Sequence, residues 1–144
     1  MAESPEEQAV PPEKLEVARA MVELWNAGHR SSEAIQDYCD PEIELRSPFS
    51  SVAGEPYRGY AGISKWALDV DDQFSEWRIR VGEARPVGNR VVVISTIDVR
   101  GRGSDLTMSF PAAAIIEFGE NRLINRIDIY TDVDEALGAV GSQS

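Results

Sequence analysis

The stretch RVVVISTIDVRGRGSDLTMSFPAAAIIEF, residues 90–118, decides the fold. Residues 90–100 are rich in β-branched side chains, which favours a strand, and residues 105–118 form a second long extended run. Two glycines in the segment 101–104 predict a tight turn, so the two runs should pair as an antiparallel hairpin. Because these glycines stand between strands and not before a helix, they are not typical of a phosphate-binding loop.

Further helices and strands are predicted on both sides of this hairpin. Apolar residues recur at three- and four-residue steps after Pro12 and again over 63–74, which indicates two amphipathic helices. The other predicted elements are a short helix at 34–38, a final helix capped by Asp132, and strands at 42–47, 77–81 and 122–131. Strands that follow one another through hairpins favour an α+β fold with a mostly antiparallel sheet.

Composition limits the class of protein. The chain has 144 residues, of which 42% are hydrophobic and 27% charged, and these are ordinary values for one globular domain. We expect this domain at 13–140, with a disordered acidic arm at 1–12 and a small-residue tail at 141–144. The first residues lack the apolar run of a signal peptide and no stretch is long enough to span a bilayer, so we expect a cytoplasmic protein.

Charge and rare residues exclude several functions. The formal net charge of −11 disfavours nucleic acids and membrane surfaces as partners, because both are anionic. Cys39 and His29 are the only cysteine and histidine, which rules out an internal disulfide and a zinc site of four Cys/His ligands. The chain has no acidic loop typical of calcium binding, and we expect neither a metal nor another cofactor.

The central strands are apolar on both sides. Every residue of 91–94 is apolar, and so is every residue of 113–115. One face of these strands should pack on the helices, as in sheets that are buried on one side. We expect the other face to pack on a second copy of the chain, which predicts a homodimer through the sheet.

Several short motifs resemble the NTF2-like, SnoaL-like superfamily. They are LWNAG at 24–28, DPEIEL at 40–45, YRGYAGI at 57–63, and EF at 117–118 ahead of YTD at 130–132. The resemblance covers almost all of 13–140. It implies a cone, in which a curved sheet wraps around helices and encloses a pocket, and it implies dimers through the sheet. Because a fold does not assign chemistry, the pocket residues need their own argument.

The catalytic residues of ketosteroid isomerase, a member of this superfamily, are replaced in the chain. Ser47 stands where the resemblance would put its general-base aspartate. Met21 and Ala114 stand where its oxyanion-hole tyrosine and neutral aspartic acid would lie. Without a base and without these donors, isomerisation by that route is not expected.

The acidic residues of this chain resemble those of limonene epoxide hydrolase and of the SnoaL-type polyketide cyclases more closely than those of ketosteroid isomerase. Both have an aspartate on the last strand, where Asp128 lies, and the hydrolase has another in an Arg-x-Asp motif on an earlier strand, where Asp98 lies. The arginine of that motif is Thr96 in this chain. The resemblance implies that Asp128 acts as the base and Asp98 as the acid of a cofactor-free enzyme.

The alternation of side chains adds two further candidates. Period two places Arg126, Asp128 and Tyr130 on one face of the last strand, where they need either solvent or a polar cavity. In a pocket, Arg126 would orient the aspartates and Tyr130 would hydrogen-bond the substrate. Two carboxylates in an apolar shell hold a proton to higher pH, so at least one of Asp98 and Asp128 should have a raised pKa. The alternative is that both aspartates are ordinary surface charges.

The expected substrate-binding residues supply an apolar wall, space and a polar rim. The wall and the space fit a site for a hydrophobic ligand. The expected wall residues are Trp25, Trp66 and Tyr38. The residues expected to leave space are Ala112 and Ala114, and the expected rim residues are Glu44 and Arg46. Glu44 and Arg46 alternate with apolar residues, so they could equally form the hydrated face of an edge strand.

Two functions from different classes therefore remain open. The first is an acid/base enzyme without a cofactor, acting on a small hydrophobic oxygenated molecule such as an epoxide or a polyketide-like intermediate. The second is a catalytically silent module that binds a small ligand or dimerises. The two hypotheses differ in whether Asp98 and Asp128 point into one enclosed cavity or towards solvent.

Overall fold

The computed structural model describes residues 12–28, 33–48, 55–104 and 106–141, and these ranges contain four helices and six strands. In chain order they are α1 (Pro12–Asn26), α2 (Glu33–Gln36), β1 (Cys39–Arg46), β2 (Tyr57–Arg58), α3 (Gly59–Gln73), β3 (Phe74–Val87), β4 (Arg90–Gly101), β5 (Thr107–Phe118), β6 (Ile124–Tyr130) and α4 (Val133–Gly141). The predicted arm and tail lie outside the described residues, apart from Pro12 in α1 and Gly141 in α4. His29 lies outside them as well, and the domain extent of 13–140 stays a prediction.

The six strands form one curved sheet in the order β2-β1-β6-β5-β4-β3. Its centre is the predicted hairpin, in which β4 and β5 pair antiparallel from Arg90 opposite Glu117 to Arg100 opposite Thr107. Strands β3 and β6 flank the hairpin, also antiparallel, whereas β1 runs parallel to β6. The predicted α+β class with a mostly antiparallel sheet is confirmed.

Two strands differ from the sequence-based expectation. Strand β3 is much longer than the predicted 77–81, and its pairing with β4 shifts register at 74/76 and at 81/83. Such bulges bend a strand and increase its twist, which suits a long strand that wraps around helices. Strand β2 is absent from the predicted elements because it has only two residues, too few to show an alternating pattern.

The inner face of the sheet, defined as the face that packs on α1 and α3, carries the main hydrophobic core. Ile43 and Leu45 of β1, Phe118 of β5 and Ile124 of β6 are fully buried there. Each side chain of this size contributes about 1.5–3 kcal/mol when it is fully removed from water. The core therefore joins strands from both ends of the chain.

The outer face, opposite to the inner one, is partly covered by the chain's own C-terminal helix. Val92 of β4 and Ile115 of β5 pack there against Ala136 and Val140 of α4. Asp132 caps this helix as predicted, since its Oδ1 accepts a hydrogen bond from the backbone N–H of Glu135 at 3.1 Å. The apolar outer residues thus have a partner within the chain, so their hydrophobicity alone does not call for a second copy. The homodimer itself stays a prediction.

A charge placed under α4 should test this second core. Ala136 is fully buried, so Ala136→Asp should lower the free energy of unfolding by about 2–4 kcal/mol, because a carboxylate would be desolvated without a partner. Gly138→Asp puts the same charge on the exposed side of the helix, where an added Cβ meets nothing within 4 Å, and serves as the control. Chemical denaturation measures both, and light scattering reports association through the uncovered strands. Equal stabilities of the two variants would contradict the packing described here.

Candidate functional site

An apolar cavity of about 110 Å³ lies between the inner face and the helices. Helix α1 contributes Ala18, Met21 and Trp25 to its wall, and α3 contributes Trp66. Met21 is half-buried, whereas Ala18 and Trp25 are buried. This location is the pocket inside the cone that the resemblance implies.

The strands shape the cavity through the size of their inward residues. In the pairing of β4 with β5, Val93 lies opposite Ala114 and Ser95 lies opposite Ala112. All four side chains line the cavity. Two alanines on one strand leave the space that larger residues would fill, and the structure thus places Ala112 and Ala114 where the sequence analysis expected them.

Three tryptophans form one end of the wall. The rings of Trp25 and Trp66 have centroids 4.4 Å apart, and Trp77 meets Trp25 edge-on at 6.1 Å. Trp77 was not among the expected site residues, although its position on the inner face follows from the alternation of β3. Tyr38 was expected in the wall, but it packs against the edge of the core and does not line the cavity.

Helix α1 is tied to the sheet next to the cavity by one side chain. The Asn26 amide nitrogen donates to the carbonyl of Ile79, and the backbone N–H of Ile79 donates back to the Asn26 carbonyl oxygen, both at 2.8 Å. Ile79 itself lines the cavity. This pair of bonds fixes the distance between α1 and β3, and with it the width of the cavity.

The expected catalytic residues lie on the other side of the sheet. Ile127 and Ile129 of β6 face the cavity, whereas Arg126, Asp128 and Tyr130 line a separate cleft of about 90 Å³ beside α4. The alternation of side chains was predicted correctly, but the face chosen for the polar residues was wrong. Apolar side chains take the enclosed side because desolvating a charge costs more than exposing an isoleucine.

Asp98 is also on the outer face and far from Asp128. Along β5, Asp98 pairs with Ser109 and Asp128 pairs with Ile115. Six residues of strand separate these two positions, which is roughly 20 Å at about 3.3 Å per residue. The expected Asp98/Asp128 pair is therefore not formed, and one proton cannot be shared between the two carboxylates.

Each aspartate instead has an arginine partner of its own. Arg80 Nε donates to Asp98 at 2.6 Å and the Ser109 hydroxyl donates to it at 2.5 Å. These two bonds lower the pKa of Asp98 to about 2, so Asp98 is not a member of the pair with a raised pKa. Asp128 accepts a hydrogen bond from Arg126 Nε at 2.9 Å. Burial and then the Asp128 carboxylate raise the pKa of the neighbouring Tyr130 phenol.

Glu44 and Arg46 form the hydrated side of β1. Arg46 donates to Glu44 at 3.2 Å, and the side chains flanking them, Ile43 and Leu45, are buried on the inner face. Of the two alternatives left by the sequence, the structure supports the hydrated face of a strand near the sheet edge. Neither residue lines the cavity.

Metal binding, membrane insertion and a reactive thiol are three other possibilities that the described ranges bear on. Within 12–28, 33–48, 55–104 and 106–141, no three His, Cys, Asp or Glu side chains come close enough to hold a metal ion. None of the helices in those ranges combines the length and the apolar character that a membrane span requires. Cys39 is buried, and burial raises the pKa of its thiol to about 12, so it is a poor nucleophile.

Comparison with known sequences gives one family. The sequence model of the SnoaL-like domain matches residues 18–127, which is most of the chain and includes every described residue of the cavity wall except Ile129. The chain matches none of the curated proteins.

Solved structures with the same fold are numerous, at low sequence identity. TerC, co-crystallised with polyporic acid, is 19% identical, with 89% of this chain and 98% of TerC covered and a TM-score of 0.73. An NTF2-like protein from Burkholderia pseudomallei K96243 is 16% identical, with 88% and 96% covered and a TM-score of 0.73. A protein assigned to the SnoaL-like polyketide cyclases, from Jannaschia sp. CCS1, is 14% identical, with 97% and 96% covered and a TM-score of 0.73.

The ion pair on the outer face gives a titration that can be measured. Asp98 should titrate near pH 2, and Arg80→Met should move its pKa back up, because the Arg80 hydrogen bond is the largest cause of the shift. Since the folded pKa is the lower one, the stability that this pair adds is present above the ordinary Asp range and is lost as the pH falls towards 2. NMR of the side-chain carboxyl carbons measures both proteins.

The matched control is Arg85→Met, which removes an arginine that pairs with Glu83 at 2.8 Å on the neighbouring part of β3. It should leave the Asp98 titration unchanged. A wild-type pKa of Asp98 above the ordinary value would restore the shared-proton hypothesis.

Proposed function

This chain belongs to the SnoaL-like domain family, within the NTF2-like superfamily, and on that premise we propose that it binds one small, neutral, mostly hydrocarbon molecule in the cavity without transforming it. The proposal takes up the second of the two functions that the sequence left open. TerC, a protein of the same fold, was co-crystallised with a small organic molecule, polyporic acid, which supports ligand binding in this fold; the neutral character of the ligand proposed here is argued from the cavity wall alone.

The observation that carries the proposal is the chemistry of the wall. The described residues that line the cavity are alanine, valine, leucine, isoleucine, methionine and tryptophan, with Ser95 as the one exception. General acid/base catalysis needs a titratable group within hydrogen-bond reach of the substrate. None lines the cavity among the described residues, which favours binding over epoxide hydrolysis or cyclisation.

The charge and size of the ligand follow from the same wall. A charged ligand would be desolvated without a counter-ion, at a cost that a hydrocarbon wall does not offset. The cavity volume of about 110 Å³ is near that of an apolar cavity that binds benzene, about 150 Å³. The buried part of the ligand is therefore on the scale of a single ring.

Toluene should bind with an affinity that does not depend on pH. Trp25, Trp66 and Trp77 line the cavity, so their fluorescence reports the occupancy. Because none of the described residues that line the cavity is titratable, the dissociation constant should stay constant from about pH 5 to about pH 9. A bell-shaped dependence would instead indicate a pair of titrating groups at the ligand.

Filling the cavity should abolish this binding. Ala112→Leu adds three carbon atoms at a buried inner position and should weaken toluene binding by at least about tenfold. Thr107→Leu adds a leucine to the exposed, outer side of the same strand and is the matched control. Titration by tryptophan fluorescence compares the two. Unchanged affinity in Ala112→Leu would mean that the probe binds elsewhere.

A further inference from the structure

Ser95 interrupts an otherwise hydrocarbon wall. It is only 9% exposed and is the single buried polar side chain among the described residues. It lies in the middle of β4, between Val81 of β3 and Ala112 of β5. Packing alone would favour alanine or valine at such a position, because a buried hydroxyl loses its hydrogen bonds to water.

The Ser95 hydroxyl has no partner within the part of the chain that the structure describes. It makes no hydrogen bond there, although nearly all buried hydroxyls in proteins are bonded. Its side chain points towards the cavity, because it lines the wall together with Val93 and Ile97 of the same strand. An unpartnered group that is nine-tenths buried and faces a cavity is the kind of group that a ligand satisfies.

A second donor lies on the helical side of the same cavity. Trp66 is 7% exposed, and its indole nitrogen is buried without a hydrogen-bond partner among the described residues. An indole N–H can only donate, and a serine hydroxyl can donate as well. The Trp66 nitrogen is closed off from the cavity volume, so Ser95 is the group that can present a donor to a ligand. A ligand that carries only an acceptor complements it, because such a ligand leaves no donor of its own unpaired against the hydrocarbon wall.

We infer that Ser95 recognises the ligand by donating its hydroxyl proton to a neutral acceptor oxygen, so that the preferred ligand class is a ring-sized ketone or similar carbonyl compound. The inference rests on the proposed function, and it names the class of ligand that the cavity selects. Ser95 positions the ligand, and the hydrocarbon wall supplies most of the affinity.

The test compares two probes of the same shape. Cyclohexanone and methylenecyclohexane differ only in whether an oxygen or a CH₂ group is double-bonded to the ring. Ser95→Ala should weaken cyclohexanone binding by about five- to tenfold and leave methylenecyclohexane binding unchanged, because only the ketone can accept the hydrogen bond. Tryptophan fluorescence gives both dissociation constants, and circular dichroism verifies that the variant is folded.

The matched control is Thr96→Val, which removes a hydroxyl from the outer face of the same strand. It should leave both affinities unchanged. If Ser95→Ala changes both probes equally, or neither, the role of Ser95 is wrong while the proposed binding function stands. If the wild-type protein binds neither probe, the binding function itself is overturned.

Discussion

Both faces of the central hairpin are apolar, so the chain has to cover its sheet twice. The first cover is the pair of helices α1 and α3 on the inner face, and the second is α4 on the outer face. An uncovered apolar strand face would be a site of association, and the nine-residue helix α4 covers part of this one. The division into a dry inner face and a partly hydrated outer face follows from this requirement, and it decides which side chains can meet a ligand.

A cavity remains on the inner face because the first cover does not close completely. Asn26 bonds both backbone groups of Ile79, which holds the end of α1 at a fixed distance from β3. Opposite the helix, Ala112 and Ala114 do not reach far enough to fill the gap. Protein interiors are normally packed to the density of organic crystals, and empty apolar volume costs stability. A specific polar contact and two small residues keep this cavity open. A molecule bound in it would offset the loss of stability.

The sequence predicts the architecture well because its signals are local. The alternation within 90–118, the glycines at 101–104 and the cap at Asp132 each act over a few residues, and each appears in the structure. The choice of face is not local. Alternation shows that Arg126, Asp128 and Tyr130 lie together, but the side on which they lie depends on where the helices pack. Residues 127 and 129 are isoleucines, and hydrophobicity alone would have assigned them to the enclosed side.

Acid/base catalysis by a carboxylate needs a site that keeps the carboxylate from water, and this sheet has the two on opposite faces. The carboxylates Asp98 and Asp128 lie on the outer face, each with an arginine donor, and the donors to Asp98 hold its pKa low. The apolar cavity lies on the inner face, where Ser95 is the one residue of the described wall that is not apolar or aromatic. A buried carboxylate at such an inner position would have a raised pKa and could exchange protons near neutral pH. Serine at that position can donate a hydrogen bond to a ligand but cannot exchange a proton near neutral pH, which is why we propose recognition for this cavity and not acid/base chemistry.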